Sequence, residues 1–162
     1  MTEYNAIKNL IGSYGQTVDS VPRQPQKYAD HFIEDGSFTD CGVTIQPRSK
    51  IKALMQAALE HGKNQPKHSG TRHLQFNTVI NITGEGTASS TSQLMVLELG
   101  PEVGWRIRNI GLYTDEIVKD TDGKWKFKSR VLTWYKDLGP DALNPDLGNM
   151  MGGFFKVIMA TD

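Results

Sequence analysis

His73-Leu-Gln-Phe-Asn-Thr-Val-Ile-Asn-Ile-Thr83, closed by Gly84-Glu85-Gly86, is the first of four long runs rich in Val, Ile, Thr and aromatic residues. The others are Thr87–Leu99, Trp105–Lys119 and Lys124–Lys136. Short connections part them: Thr83-Gly-Glu-Gly86, Gly100-Pro-Glu-Val-Gly104 and Asp120-Thr-Asp-Gly123. Glycine-bearing links between β-rich runs read as hairpins joining antiparallel strands. The second half of the chain is therefore expected to be a meander of long strands.

Upstream the period changes. Ile7, Leu10, Ile11, Tyr14 and Val18 recur at helical spacing and form one apolar stripe. Pro22 and Pro25 break the pattern, so residues 19–25 read as a loop. Tyr28, Phe32 and Ile33 suggest a short second helix ending near Asp35-Gly36, and Phe38 to Ile45 a short strand or hairpin. Ser49 to His61 reads as a third helix, capped by Ser49 and followed by Gly62. Helices followed by a strand meander argue for an α+β domain over residues 1–138, with the helices on one face of a curved antiparallel sheet. A sheet curled around those N-terminal helices encloses an apolar pocket, a cone-shaped α+β barrel. The tail, residues 139–162, is punctuated by Gly139, Pro140, Pro145, Gly148, Gly152 and Gly153 and ends on the apolar run Phe154 to Met159. It reads as a cap over the pocket or as a contact with another subunit.

The chain has 162 residues, enough for one domain with a proper core. Eighteen basic and eighteen acidic residues cancel without a charge block, which argues against nucleic acid or a membrane surface as partner. The single cysteine, Cys41, excludes an internal disulfide and fits a reducing compartment. Neither a signal peptide nor a run of roughly 18 apolar residues is present, so the expectation is a soluble, cytoplasmic domain.

Four polar residues lie in or beside segments that otherwise read as core: Tyr14, Asp19, His73 and Arg130. Brought together, they would make a proton-transfer site in an apolar cavity. Each also has a plainer reading. Asp19 falls about 100° past the middle of the apolar stripe, where a solvated helix end or a cap is ordinary. Arg130 alternates with Lys124, Lys126 and Lys128, as on a solvated strand face, and Tyr14 lies on the stripe as core. Other candidates are weaker. His31 and Asp35 have metal-ligand spacing but no third ligand, and His61 and His68 flank a polar loop and read as exposed. Cys41 has no activating base nearby in sequence, and Gly84 and Gly86 are turn glycines. No metal and no cofactor is expected.

Tyr14-x4-Asp19, Phe32-x-x-Asp35, Thr71-Arg-His73, Tyr113-Thr-Asp115-Glu116 and Asp122-Gly-Lys-Trp125-Lys-Phe127-x-x-Arg130, in this order and spacing, resemble the SnoaL-like branch of the nuclear-transport-factor-2-like superfamily. The resemblance reaches to about residue 136 and implies an α+β cone around an apolar cavity. Within the branch it is nearest to the β-eliminating enzymes, such as bile-acid dehydratase, scytalone dehydratase and hexachlorocyclohexane dehydrochlorinase. It implies that Asp19 on the first helix pairs with His73 on the first long strand, with Tyr14 and Arg130 positioning and polarising the substrate. An imidazole titrates near neutrality and serves as a base without extreme tuning. Asp19 would hold its ring, select the tautomer and stabilise the imidazolium. Phe38, Tyr113, Asp115 and Trp134 are the substrate-binding candidates, Tyr113 and Asp115 sharing one strand face and Asp115 available as a second acid/base group.

The expected function is a cofactor-independent lyase removing water from a small hydrophobic steroid, terpenoid or polyketide-type substrate. An isomerase or cyclase using the same dyad, an epoxide hydrolase with Asp115 as its water-activating carboxylate, and a non-catalytic ligand-binding domain are the alternatives. The resemblance also implies a homo-oligomer, dimer or trimer, formed through the outer sheet face.

Overall fold

The computed structural model describes residues 2–63, 70–100, 104–135 and 145–160, with residues 63 and 145–151 in backbone only. Helix α1 (Glu3–Val18) starts where the Thr2 hydroxyl accepts the Asn5 N–H, and its stripe Ile7, Leu10, Ile11, Tyr14 and Val18 is buried. Pro25, with its preset φ and missing N–H, opens the one-and-a-half-turn helix α2 (Pro25–Ala29). Strand β1 (Phe32–Asp40) turns back into β2 (Val43–Ile45) through Cys41 and Gly42, with φ of 51° and 77°. Two consecutive residues at positive φ are what a tight hairpin between right-twisted strands demands. Helix α3 (Arg48–Lys63) leads to β3 (Gly70–Gly84), β4 (Thr87–Gly100), β5 (Gly104–Lys119), β6 (Trp125–Trp134) and helix α4 (Pro145–Met159).

The six strands form one sheet in the order β2-β1-β6-β5-β4-β3. Every pairing is antiparallel except β1 with β6, which run parallel. A parallel pair needs a long connection, and here everything from β2 to β5 lies between the two strands. Extra residues bulge the strands at Asn77–Thr78 of β3, Arg108 of β5 and Lys128 of β6. Each bulge sharpens the twist and curls the sheet. The concave face packs on α1, whose Ile7, Leu10 and Tyr14 meet Phe127, Phe32 and Leu94 in a single apolar core.

Two local expectations are corrected. The second helix ends at Ala29, and Phe32 and Ile33 belong to β1, because strand pairing with β6 takes this segment; the Phe127 N–H also bonds the His31 carbonyl. Helix α3 begins at Arg48, one residue before the expected cap, and runs through Gly62. The tail is helical from Pro145 to Met159 despite Gly148, Gly152 and Gly153. Burial of Phe155 and Ile158 there, and the edge-on contact of Phe154 with the His61 ring of α3, give it the tertiary support its composition lacks. Gly139 and Pro140, like His68, lie outside the described residues.

Candidate active site

Between the concave sheet face, α1 and α3, and one side chain of α4, lies a cavity of about 170 Å³. A single water needs about 10–15 Å³, so the space has room for a small organic molecule. Val18, Phe38, Leu54, Met55, Val96, Leu132 and Phe154 make most of its wall apolar. Polar groups enter from Tyr14, Tyr28, Asp40, Thr71, His73 and the pair Arg108 and Asn109, with Arg23 from the loop after α1.

Asp19 occupies the C-cap of α1, its N–H bonded to the carbonyls of Gly15 and Thr17. That position turns the carboxylate off the helix and onto β3. One oxygen accepts from His73 Nδ1 at 2.7 Å and the other from the His73 main-chain N–H at 2.7 Å. Both side chains are largely buried, 18 % and 13 % exposed. Hydrogen bonds to a charged group contribute about 1.5–3 kcal/mol each, so the ring is firmly oriented. With Nδ1 committed, Nε2 is the nitrogen left for chemistry. The close approach of α1 to β3 depends on Gly15, where a Cβ would lie 2.9 Å from Gln75 Nε2 and 3.6 Å from the His73 carbonyl.

Tyr14 lies deeper on the same helix face. Its hydroxyl meets that of Tyr28 at 2.8 Å, and its ring meets that of Tyr113 edge-on, with centres 6.0 Å apart. Burial holds all three phenols above their ordinary pKa, outweighing the opposing charge of Arg130. They remain hydrogen-bond donors throughout the physiological range.

Arg130 is fully buried, and neither it nor Asp115 reaches the cavity wall. Its guanidinium sits 4.1, 3.8 and 4.3 Å from the ring centres of Tyr14, Tyr113 and Phe127. Desolvated cation–π contacts of this kind contribute about 2 kcal/mol or more. Arg130 Nη2 donates to Gln75 Oε1 at 2.5 Å, and Nε stands 3.2 Å from Asp115 Oδ1, misaligned for a hydrogen bond. Asp115 Oδ2 accepts from Ser90 at 2.8 Å. Burial pushes the Asp115 carboxyl up against the pull of Arg130 and Ser90. The two residues placed at the substrate by sequence are thus a buried ion pair behind the tyrosines. Of the other substrate-binding candidates, Phe38, Tyr113 and Trp134 do line the cavity.

Sequence reasoning passed over Tyr28, Asp40 and the Arg108–Asn109 pair. Asp40, beside Phe38 at alternate spacing, is 5 % exposed and accepts from Trp134 Nε1 at 2.8 Å. Burial raises its carboxyl pKa, outweighing the bonds from Trp134 and Cys41 and the charge of His73. The i, i+2 relation of Phe38 and Asp40 was the available signal. His31 is a buried structural histidine, with Nδ1 donating to the Tyr28 carbonyl and Nε2 3.1 Å from the Ser13 hydroxyl. Among the described residues no three His, Cys, Asp or Glu side chains are grouped to hold a metal. None of the described helices is long and apolar enough to cross a membrane.

A curved mixed sheet wrapped on N-terminal helices, with an acid–imidazole pair opening on an apolar interior, defines an NTF2-like α+β protein. The chain belongs to the SnoaL-like domain family, whose model matches residues 1–131. Similar solved structures include Rv3472 from Mycobacterium tuberculosis, a protein of unknown function, seen as a single-residue variant. It is 22 % identical with a TM-score of 0.76, covering 97 % of this chain and 94 % of that one. A protein from Novosphingobium aromaticivorans provisionally named a scytalone dehydratase is 27 % identical over 88 % of this chain and 91 % of its own, with a TM-score of 0.66. An NTF2-like protein with a cystatin-like fold from the same organism is 19 % identical over 86 % of each chain, with a TM-score of 0.67. No curated protein matches the sequence.

Proposed function

We propose that the protein is a cytoplasmic, cofactor-independent lyase that eliminates water, or a similar leaving group, from a small and mainly apolar steroid, terpenoid or polyketide-type compound. The observation that carries this reading is the double clamp of Asp19 on His73 at the wall of an apolar cavity. His73 Nε2 takes a proton from the carbon next to a substrate carbonyl. The C–H electron pair becomes the new double bond, the C–O bond of the β-hydroxyl breaks, and the oxygen leaves as water after taking a proton. Asp19 stabilises the imidazolium formed on the way.

Two further features serve elimination. The Tyr14 and Tyr28 hydroxyls share one internal bond, which leaves one O–H of the pair to donate to the carbonyl oxygen as negative charge develops there. Asp40, whose burial keeps it protonated to higher pH, is an acid on the same cavity for the departing oxygen. An isomerase or cyclase could use the same residues, since a protonated carboxyl and a tyrosine also stabilise an enolate, and the product separates these readings. The apolar side chains Leu74, Val79, Trp105 and Ile107, exposed on β3 and β5, are consistent with a homo-oligomer formed through the outer sheet face.

The test is incubation in D₂O with a panel of β-hydroxy carbonyl steroids, polyketides and thioesters, followed by product mass. A product lighter by one water, absent with His73→Ala, is expected. Deuterium uptake without loss of water would replace the lyase by an isomerase. Compounds that bind unchanged, with equal affinity when Asp19 and His73 are both made apolar, would make this a binding domain.

A further inference from the structure

On a regular strand, neighbouring residues face opposite sides of the sheet. Arg108 and Asn109 are neighbours on β5, yet both line the cavity. The cause is the bulge: Val96 pairs with Asn109 and Leu97 with Ile107, so Arg108 is the extra residue, re-aimed to the concave side.

The pair is chemically unfinished. Asn109 is 3 % exposed, and its Oδ1 has no hydrogen-bond partner among the described residues; nor has Arg108 Nε. Arg108 is anchored elsewhere, through Nη1, to Glu98 at 3.2 Å. Glu98 is shared with Arg106, which offsets part of the positive charge. What remains is one unpaired acceptor and one unpaired donor, buried on adjacent residues that line the cavity. Leaving such groups unpaired is costly, and the terminal torsion of an asparagine amide turns readily toward a partner. A hydroxyl group satisfies both at once, accepting from Arg108 Nε and donating to Asn109 Oδ1. A carboxylate would leave the Asn109 oxygen facing another acceptor.

The pair's distance from the dyad adds a constraint on shape. His73 pairs across the sheet with Val96, and Val96 with Asn109, so the three stand in one row over β3, β4 and β5. Two inter-strand steps are about 10 Å. Apolar Val96 lies between the two polar ends.

We propose that Arg108 and Asn109 form a second recognition point of the cavity, binding a hydroxyl carried by a ring compound at the end remote from the carbon that reacts at His73. This rests on the cavity being the substrate site, but not on which reaction occurs there.

The experiment is calorimetric binding of 4-hydroxybiphenyl and its near-isostere 4-fluorobiphenyl, which lacks the donor. The wild-type protein is expected to bind the phenol about tenfold more tightly. Asn109→Leu and Arg108→Met should each remove most of that preference, whereas His73→Ala should keep it. Equal binding of the two probes by the wild type, or a preference that survives both substitutions, would overturn the proposal. Loss of the preference in His73→Ala would also overturn it, by placing the hydroxyl at the dyad. A phenol preference of this pattern in a protein without lyase activity supports the subsite and removes only the elimination reading.

Discussion

The Asp19 carboxylate holds His73 at two points, the ring Nδ1 and the main-chain N–H, each at 2.7 Å. The first contact sets the tautomer and the second ties the end of α1 to the first residues of β3. In the proposed lyase, catalysis and local architecture would therefore share one side chain.

His73→Ala and Asp19→Asn should each lower kcat by at least the roughly 10²-fold loss of a general base. Groups that act as a unit are not additive, so the double variant should be hardly worse than the poorer single one. Steady-state kinetics on one turned-over compound decides this, and unchanged turnover in a folded His73→Ala protein would remove His73 as the base.

Gly15 should tolerate alanine but not a larger side chain. Alanine within a helix gains up to about 1 kcal/mol over glycine, which offsets the displacement of Gln75 at 2.9 Å. The melting temperature should change little. Turnover should also change little, because the new methyl makes an ordinary 3.6 Å contact with the His73 carbonyl and only the end of the Gln75 side chain must move. The larger Gly15→Val should lower both.

Arg130→Met should destabilise the fold by about 3–5 kcal/mol, since it leaves Asp115 buried without its cation. Adding Asp115→Asn should recover a large part of that loss, the amide still accepting from Ser90. Denaturant titration of the four proteins in the cycle gives the coupling. Full additivity would mean that the pair is not coupled.

Acidification should weaken the protein through His31. Burial lowers its pKa from the ordinary 6.5, so the folded form keeps the imidazole neutral where the unfolded chain takes up a proton. The unfolded state then binds more protons, and stability falls as pH drops below about 6.5 until the lowered folded value is passed. His31→Gln should remove this part of the pH dependence while Asp19 and His73 stay in place. Unfolding free energies at pH 7.5 and 5.5 for both proteins provide the comparison.

Much of the site was legible where a motif or a period carried it. Tyr14 and Asp19 fall one helical turn and a residue apart, and His73 opens its strand run, so the family resemblance could pair Asp19 with His73 before their contact was seen. Arg130 was harder for a definite reason. Strict alternation puts it with Lys124, Lys126 and Lys128 in solvent. The bulge at Lys128, where Glu116 pairs with Ser129 and Ile117 with Phe127, inverts the parity and turns Arg130, Leu132 and Trp134 inward. The bulge at Arg108 does the same on β5 and brings a residue to the cavity that no alternation pattern selects.

By itself, then, the sequence determined the α1 stripe, the four long strands and the hairpins between them, because local periodicity and turn chemistry act over a few residues and leave their mark in the order of side chains. Tertiary structure alone decided that residues 32–40 pair with β6 rather than continue a helix, that the glycine-rich tail folds onto α3, and that Arg130 and Asp115 stand behind the cavity while Asp40 and Asn109 stand in it. Those outcomes depend on strand register, bulges and burial, which are set by contacts between segments far apart in the chain.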